Sequence, residues 1–514
     1  MNEEQYRAVC AECDQVLLAP DSTLERVAIP WLHVIREHPV ILANYVDLFE
    51  PATGYRAIVR KWWRGLRNRA GWLRQIGRSL RSNVQPWFGP KELPSEIDVL
   101  FVSHLLNKSQ AGKADDFYFG ELANEMVTRG HSAVIALINH SGHPAASLAS
   151  QWKESSVPRV ILSASLRFWE EVALHRRLKK ESLRLRKLAK KEGPGLSRCV
   201  LARASEEGLA NGSLTSLRRV TQISALAVRL QPKAIVVIHE GHAWERLAFA
   251  AARSVCPTVR CIGYQHAAIF RLQHAIRRNL AREYNPDQIL TAGTVGKSQL
   301  ESTPKLQGTP ISVLGSNRTF NGAAINGERL MHPGQAEHSD NSAWLVLPEG
   351  LVSECYLLFE FSLACAQAFP EIQFIWRLHP VVAFKSLLAQ NPKLRNLPRN
   401  IVLSQLTLEE DIARCRYALY RGTTAIVQAV MAGLRPIYLQ LPDEMTIDPL
   451  YDLKVWRTYV KTIEDFNCVI RSNHDRLLKD SESKFRFAER YCSDLFTSLN
   501  PSALESAIIS KRKS

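Results

Sequence analysis

"IDVLFVSHL", residues 97–105, is a nearly unbroken run of apolar residues. Such runs are typical of strands that lie in a parallel sheet with helices on both faces. A helical pattern follows at 115–130, and a second apolar strand is predicted at "SAVIALINH", residues 132–140. This alternation of strand and helix predicts a doubly wound α/β domain that begins near residue 97.

The same alternation continues along the chain and divides it into two halves. Further strands of the first half are predicted at 159–164, 234–240, 259–266, 287–293 and 311–315. Strands of the second half are predicted at 343–350, 372–380, 400–405, 416–424 and 435–442. Between the halves, the sequence is polar, rich in Gly and Asn and without periodicity, which is typical of a linker.

A chain of 514 residues is too long for one ordinary domain, and we expect five segments. They are a mostly helical N-terminal extension at 1–95, a Rossmann-like domain at 96–315, the linker at 316–343, a second Rossmann-like domain at 344–470 and a helical C-terminal segment at 471–514.

The composition is typical of a globular protein without membrane-spanning segments. Of the residues, 46% are apolar and 23% are charged, and no apolar run reaches the length of about 18 residues that a spanning helix needs. The start, "MNEEQYRAVC", is acidic and lacks the apolar core of a signal peptide. Cys10 and Cys13 form a C-x-x-C pair without a second pair or a histidine couple nearby, so we expect reduced thiols and a cytoplasmic location.

The net charge of +16 is concentrated near the N-terminus, where residues 51–90 contain nine Arg or Lys residues and no Asp or Glu. In a helix, an apolar stripe and an arginine stripe would lie on different faces. The apolar stripe consists of Val59, Trp62, Leu66, Leu73, Ile76 and Leu80, and the arginine stripe consists of Arg60, Arg64, Arg67, Arg74, Arg78 and Arg81. The pattern predicts that residues 56–88 bind an anionic membrane surface, and the alternative is that the apolar face packs on the protein. No nucleic-acid-binding motif accompanies it, so nucleic acid is not an expected partner.

Three predicted strands of the second half are followed by residues that suit phosphate binding. They are "PEG" at 348–350, "RLHP" at 377–380 and "RGTT" at 421–424. Ligands of open parallel sheets bind beyond the carboxyl ends of the strands, where all three motifs would lie. Because the third motif precedes a helix, its N–H groups and hydroxyls can hold a phosphate. The alternative is that Thr423 or Thr424 only caps that helix.

In this order after a linker, the three motifs resemble those of bacterial GT-B glycosyltransferases of surface polysaccharide biosynthesis that use CMP-activated sugars. That group includes sialyltransferases, polysialyltransferases and Kdo transferases. The first half is similar to surface carbohydrate biosynthesis proteins through "HEGHAWERL" at 239–247 and "GYQHAA" at 263–268. The resemblance spans roughly residues 97–470 and implies an α/β GT-B fold, in which two Rossmann-like doubly wound domains face a cleft.

The resemblance also implies roles for residues of the second half. His379 would contact and protonate the phosphate of CMP, and Thr423 and Thr424 would hold the same phosphate. Pro348 replaces the first acidic residue of the family's D/E-D/E-G motif, so only Glu349 carries over as a catalytic candidate. The residues expected to bind the nucleotide are Gly350, Arg377, His379, Pro380, Arg421, Gly422, Thr423 and Thr424.

The first half supplies the other catalytic candidates. Glu240 follows a predicted strand and is the preferred catalytic carboxylate, and the alternative is that Glu240 or Glu245 caps a helix or pairs with Arg246. Asp115 and Asp116 form a second candidate base. The residues expected to contact the acceptor or the donor are Asp116, His239, His242, Gln265 and His266. No Asp-x-Asp motif is present, so we expect transfer without a metal or another cofactor.

The expected function is the transfer of Kdo or a sialic-acid-like nonulosonic acid from a CMP-sugar donor to a lipid-linked or surface glycan acceptor. The enzyme would act in the cytoplasm, peripherally on the inner face of a bacterial membrane. The alternatives are a CDP-glycerol-type glycerophosphotransferase, a sugar-nucleotide epimerase of the same architecture and a non-enzymatic scaffold of polysaccharide assembly.

Overall fold

The computed structural model describes residues 1–49, 55–80, 85–152, 157–318, 343–475 and 481–509. Most of the predicted linker, and Arg81 of the predicted arginine stripe, lie outside the described residues.

Within the described residues, helices and strands alternate along most of the chain. The helices are α1 (Glu3–Leu18), α2 (Leu24–Val27), α3 (Pro39–Leu42), α4 (Tyr55–Ser79), α5 (Leu122–Thr128), α6 (Ala145–Ala149), α7 (Phe168–Lys191), α8 (Leu196–Glu207), α9 (Asn211–Leu230), α10 (Ala243–Val255), α11 (Thr294–Glu301), α12 (Val352–Ala368), α13 (Phe384–Gln390), α14 (Leu408–Ala413), α15 (Ala425–Met431), α16 (Ile463–Asp475), α17 (Ser481–Leu495) and α18 (Pro501–Ile509). The strands are β1 (Trp87–Phe88), β2 (Ile97–Leu105), β3 (Ala133–Asn139), β4 (Arg159–Leu162), β5 (Pro232–Ile238), β6 (Arg260–Gln265), β7 (Gln288–Thr291), β8 (Ile311–Val313), β9 (Ala343–Leu347), β10 (Phe374–Trp376), β11 (Ile401–Leu403), β12 (Cys415–Tyr420), β13 (Arg435–Leu439) and β14 (Thr458–Val460).

These elements form two compact units. Unit 1 contains Met1–His266, Leu272–Asn317 and Thr497–Ser514, and unit 2 contains Ala267–Arg271 and Arg318–Phe496. The helices predicted as an N-terminal extension therefore belong to unit 1. The predicted C-terminal segment is divided, because α17 belongs to unit 2 while α18 packs its apolar side chains into the core of unit 1.

The sheet of unit 1 has the strand order β1-β4-β3-β2-β5-β6-β7-β8. All of its strands run parallel except β1, which pairs with β4 in antiparallel orientation. The chain moves outward from β2 to β4 on one side and then returns to β5 on the other side of β2. The reversal point, between β2 and β5, is where sheets of this kind bind ligands.

The sheet of unit 2 has the strand order β11-β10-β9-β12-β13-β14, and every pair of neighbours is parallel. Here the order reverses between β9 and β12. Buried aromatic rings fill the core on one side of the sheet: Phe359 stacks on Trp376 with ring centroids 4.3 Å apart, and Trp344 stacks on Tyr417 at 4.4 Å. This packing fixes the strands relative to one another, and the loops that follow them extend from this core.

The predicted fold class is confirmed, since both units have a Rossmann-like doubly wound sheet and α1–α4 make the start of the chain mostly helical. Each strand predicted from an apolar run is present. The sequence analysis missed β1 and β14, which are two and three residues long and too short to show an alternating pattern. Among the described residues, no helix has the length and apolar character needed to cross a membrane.

Candidate functional site

The reversal point of unit 2 brings together the three motifs predicted to bind a phosphate. The loop with Glu349 and Gly350 follows β9, the loop with His379 follows β10 and the loop with Gly422 follows β12. A methyl group on Gly350 would lie 2.8 Å from Nδ1 of His379, and one on Gly422 would overlap the carboxylate of Glu349. Both glycines therefore allow the loops to contact each other closely.

His379 is half-buried and has a defined ring orientation. The backbone N–H of Val381 donates to its Nδ1 over 3.4 Å, so the proton of the neutral ring lies on Nε2. Burial lowers the pKa of His379 below its ordinary value of 6.5, and the charge of Glu349 opposes this shift. In the free protein His379 is therefore a neutral imidazole, which offers a hydrogen bond from Nε2 and gains a proton more readily when an anion approaches.

Arg421 has a structural role in place of the predicted phosphate contact. Its guanidinium is 1% exposed and donates to Glu354 over 2.6 Å, to Glu444 over 2.8 Å and to the carbonyl of Leu439 over 3.0 Å. Glu354 lies in the first turn of α12 and is also buried. The ion pair thus fixes the end of β12 to the start of α12, the two elements that flank the reversal point.

Arg377 is also held by protein groups. One of its nitrogens donates over 2.7 Å both to the buried carboxylate of Asp411 and to the carbonyl of Leu406. The hydroxyl of Ser404 donates to the same carboxylate over 2.7 Å. Because its side chain remains 24% exposed, Arg377 can add charge to the site, but its position is set by Asp411.

The two threonines differ in their environments. Thr423 is buried, and its hydroxyl accepts from the N–H of Ala425 over 3.3 Å, which is the capping role weighed as the alternative in the sequence. Thr424 is half-buried at the start of α15, and its side chain does not cap that helix. Pro380 is exposed beside His379. Thr424 is therefore the more available hydroxyl.

In unit 1, the loop between β5 and α10 is wound around the carboxylate of Glu245. One oxygen of this buried group accepts from the N–H groups of Glu240, Gly241 and His242 over 2.8, 2.7 and 3.0 Å. Gly241 has a φ of +88° and lies so close to Ala275 that any side chain would collide with it. The alternative weighed for Glu245, that it caps the helix, is what the structure shows.

Glu240 and His242 form a partly exposed pair on this loop. Nε2 of His242 lies 3.4 Å from Oε2 of Glu240, with the two side chains 39% and 26% exposed. Burial would raise the pKa of Glu240, but the hydrogen bond from His242 and the nearby positive charges hold that pKa below its ordinary value. Burial would lower the pKa of His242, but Glu240 and Glu245 raise it. The carboxylate therefore stays ionised and makes the imidazole the stronger proton acceptor of the two.

Two of the residues predicted as ligand contacts are buried in unit 1. The ring of His239 is 1% exposed, with Nδ1 3.2 Å from Glu245, and it packs against Gly263. Burial lowers the pKa of His239, so the ring is neutral. Gln265 is 3% exposed at the end of β6, and its side-chain oxygen packs closely on Gly296. These positions favour packing roles over direct contact with a ligand.

The prediction of Asp116 as a base is not supported by its surroundings. Its carboxylate is buried and accepts from Ser103 over 2.9 Å and from the N–H groups of Tyr118 and Phe119 over 2.8 Å each. Burial raises its pKa above the ordinary value. The group therefore fixes a loop, while its neighbour Asp115 is exposed.

A cluster of histidines that the sequence analysis missed lies at the reversal point of unit 1. Nε2 of His140 is 3.0 Å from Nδ1 of His104, and the ring of His104 also contacts Trp244 at 5.1 Å between centroids. His266, which was predicted, contacts Tyr118 at 4.5 Å. Burial lowers the pKa of His140 to about 4. His140 follows β3 as His239 follows β5, and His104 lies near the end of β2, so a search of the ends of β2 and β3 would have found both residues.

Helix α4 docks on unit 1 through a face that is not its apolar stripe. Gln75 is buried and donates to Glu171 and to the carbonyl of Ala164 over 3.0 Å each, and Trp72 stacks on His175 with centroids 4.3 Å apart. Most of the predicted apolar stripe is instead exposed to solvent. The exposed fractions are 63% for Trp62, 36% for Leu66, 68% for Leu73 and 66% for Leu80.

Comparison with known proteins gives structural neighbours but no sequence family. No protein-family model matches the chain, and no curated protein is similar to it in sequence. The structure is similar to the glycotransferase of kitacinnamycin, with 12% identity, 81% of this chain and 100% of the other covered and a TM-score of 0.45. It is also similar to the glycosyltransferase SnogD from Streptomyces nogalater, with 14% identity, 80% and 99% coverage and a TM-score of 0.42.

A third neighbour belongs to another enzyme class. It is a UDP-GlcNAc 2-epimerase from Neisseria meningitidis bound to UDP-GlcNAc, with 12% identity, 80% and 100% coverage and a TM-score of 0.41. These three structural neighbours are two glycosyltransferases and one sugar-nucleotide epimerase. At this level of similarity, the function of the chain has to be inferred from its own residues.

Proposed function

We propose that the protein is a GT-B glycosyltransferase that transfers a sugar from a nucleotide donor. The observation that supports the proposal most strongly is the direct contact of the three motif loops at the reversal point of unit 2. Gly350 packs on His379 and Gly422 packs on Glu349, where open parallel sheets bind nucleotides. The resemblance of these motifs to enzymes that use CMP-activated sugars favours CMP as the nucleotide and Kdo or a nonulosonic acid as the sugar.

The residues of this site suit the departure of a nucleotide phosphate. Nε2 of His379 offers a hydrogen bond to a phosphate oxygen, and the negative charge of that phosphate raises the pKa of the ring and favours transfer of its proton. Thr424 offers a hydroxyl to the same group. Glu349 offers a carboxylate that can accept from a sugar hydroxyl of the nucleotide. Stabilising the leaving phosphate in this way lowers the barrier to breaking its bond with the sugar.

The pair of Glu240 and His242 is the proposed proton acceptor for the attacking hydroxyl of the acceptor glycan. At pH values above the pKa of His242, the neutral imidazole accepts the proton, and the ionised carboxylate stabilises the imidazolium that forms. This division of roles modifies the sequence-based assignment, in which Glu240 alone was the catalytic carboxylate.

We also propose that the enzyme works at the cytoplasmic face of a membrane, with α4 lying in the anionic lipid interface. The exposed apolar stripe of α4 contains Trp62, Leu66, Leu73 and Leu80, and the helix has no acidic residue. Tryptophan favours the headgroup region, and anionic lipid attracts each nearby basic residue by about 1 kcal/mol. This location suits an acceptor that is attached to lipid.

A thermal unfolding screen with CMP, CDP, UDP and GDP tests the proposed donor. A ligand present at about 100 times its Kd stabilises the folded protein by about 2.7 kcal/mol. We expect the largest stabilisation with CMP. A preference for UDP would favour a sugar-nucleotide epimerase or a UDP-sugar transferase, and a preference for CDP would favour a glycerophosphotransferase. No stabilisation by any of the four nucleotides would contradict the proposal.

A further inference from the structure

Unit 1 contains a cavity of about 700 Å³ that is separate from the predicted site residues. Its walls are one side of α4, the first turns of α9, and the residues at the carboxyl ends of β3 and β4. The cavity lies on the same edge of the sheet as the histidine cluster, because Asn139 at the end of β3 lines it and His140 follows directly. A volume of this size accommodates a ligand the size of a di- or trisaccharide or of a diphosphate with its sugar.

The lining of the cavity is strongly cationic. Five arginines line it: Arg67, Arg74 and Arg78 of α4, and Arg218 and Arg219 of α9. Its lining includes one acidic residue, Glu207, whose carboxylate is 2.9 Å from Arg203 and is therefore already neutralised. The first turn of α9 adds the partial positive charge of a helix N-terminus.

Among the described residues, one of these five arginines forms an ion pair with a carboxylate. Arg218 is buried and makes a two-nitrogen contact with Glu171, over 2.6 and 3.0 Å. Arg219 is half-buried and lies over the ring of Trp244, 5.4 Å from its centroid, without a carboxylate partner among the described residues. Arg67, Arg74 and Arg78 are exposed on the cavity side of α4 and also have no carboxylate partner in the described part of the chain.

The pKa of Arg219 reflects the unfavourable free energy of placing positive charge here. Burial and the neighbouring Arg218 lower its pKa to about 10, although the charge of Glu245 opposes this shift, so the net effect of the protein environment is to disfavour the charge. A partly buried cation next to a cavity, with three further cations facing it, is stabilised when an anion enters. Guanidinium groups bind phosphate and carboxylate groups through paired hydrogen bonds, so several of them together select a ligand with several charges.

We propose that this cavity binds the anionic part of the acceptor, with two or more neighbouring phosphate or carboxylate groups held by Arg67, Arg74, Arg78 and Arg219. The identification of the ligand as the acceptor rests on the proposed glycosyltransferase function, while the binding of a polyanion does not. Two sources fit this chemistry: the diphosphate that joins a glycan to its lipid carrier, and the carboxylates of an acidic glycan.

Isothermal titration calorimetry of the full chain with inorganic pyrophosphate and with trigalacturonate tests the proposal. We expect saturable binding of at least one probe, and a loss of about tenfold or more in affinity in the double variant Arg74→Gln/Arg78→Gln. Arg69→Gln is the matched control, because Arg69 is an exposed arginine of the same helix that does not line the cavity. It should bind the probe within about twofold of the unmodified protein.

The two probes separate the sources. Binding of pyrophosphate alone identifies a phosphate site, binding of trigalacturonate alone identifies a site for an acidic glycan, and binding of both identifies a general polyanion site. The proposal is overturned if neither probe binds saturably, or if Arg74→Gln/Arg78→Gln and Arg69→Gln lose affinity equally. Arg219→Gln provides a second variant, which should weaken binding without changing α4.

The outcome is independent of the nucleotide site. His379→Ala should leave the affinity for these probes unchanged, and Arg74→Gln/Arg78→Gln should leave the affinity for CMP unchanged. If the unmodified protein binds the probes but not CMP, the proposed donor is contradicted while the polyanion site stands. If it binds CMP but neither probe, only the proposed polyanion site is contradicted.

Discussion

The imidazole of His379 packs on the Cα of Gly350, with Nδ1 2.8 Å from the position that a Cβ atom would occupy. The two residues belong to loops that follow neighbouring strands, β10 and β9. The absence of a side chain at position 350 therefore decides where the ring of His379 lies.

Gly350→Ala should displace this ring and weaken nucleotide binding by about tenfold, because the added methyl group occupies the space that His379 needs. Calorimetric titration with CMP measures the effect. Gly193→Ala is the control, since no atom lies within 4 Å of a Cβ at that position. Equal CMP affinities of Gly350→Ala and Gly193→Ala would show that the ring position does not matter for binding.

The pKa of His242 should depend on the carboxylate of Glu240. Glu240 raises the pKa of His242 above 6.5, so His242 should still be protonated where ordinary histidines have lost their proton. In Glu240→Gln the pKa of His242 should fall, since the effect of burial is then opposed by Glu245 without the contribution of Glu240. NMR titration of labelled histidine rings measures the pKa of His242 in the unmodified protein and in Glu240→Gln. An unchanged pKa of His242 in Glu240→Gln would show that the two side chains do not interact electrostatically, which contradicts the proposed pair.

The same pair should make the free energy of unfolding depend on pH. A raised pKa of His242 stabilises the fold fully at pH values below the ordinary value of 6.5, and this contribution is lost as the pH rises through the folded-state value. The lowered pKa of Glu240 stabilises the fold above about pH 4.5 and is lost at acidic pH. Replacing His242 by Gln should therefore destabilise the protein more at pH 5.5 than at pH 8. These two pH values lie about one unit or more on either side of 6.5, and urea unfolding measures the free energy of unfolding at each.

Arg421 should be essential for the stability of unit 2 rather than for phosphate binding. Arg421→Met removes the guanidinium that pairs with the buried carboxylate of Glu354 and should reduce the free energy of unfolding by about 3–5 kcal/mol. The double variant Arg421→Met/Glu354→Leu, which removes both charges, should recover most of this loss. If Arg421→Met instead unfolds like the unmodified protein and loses CMP affinity, the guanidinium contacts the ligand after all.

Helix α4 should bind the protein to vesicles that contain phosphatidylglycerol, and less to vesicles of phosphatidylcholine or at high salt. Leu73→Ser/Leu80→Ser should lower the affinity for these vesicles by about tenfold, as measured by sedimentation over a range of lipid concentrations. Both side chains are more than 60% exposed and therefore available to the lipid. Leu183→Ser/Val228→Ser is the control, since these apolar residues are exposed on α7 and α9. Equal loss in both variants, or no sedimentation at low salt, would argue against a lipid contact.

The sequence predicted the strands and the strand ends at which the candidate site residues lie. Apolar runs predicted the strands because buried parallel strands need side chains that are apolar on both faces, as in Ile97–Leu105. The rule that ligand-binding residues follow such strands led to His379 and to the pair of Glu240 and His242. It also led to Arg421 and Asp116, which cannot be distinguished from these candidates in sequence. In the structure, the side chains of both residues are bound by other groups of the protein.

The partners of Arg421 could not be predicted, because they come from distant segments. The guanidinium of Arg421 binds Glu354 and Glu444, whose separation in sequence gives no sign of contact. The docking face of α4 was equally hidden, since it uses Gln75 and Trp72 while leucines of the predicted stripe face solvent. The arginine-lined cavity needs α4, α9 and two strand ends together, an arrangement that only the fold reveals.

The affinity of CMP for His379→Ala, measured by calorimetric titration of the full chain, tests the central claim most directly. The account predicts saturable binding of CMP by the unmodified protein and a loss of about tenfold or more in His379→Ala, with the exposed-histidine control His143→Ala unchanged. Binding of CMP by His379→Ala with the affinity of the unmodified protein would contradict it, because the loops that meet at His379 would then not form the nucleotide site.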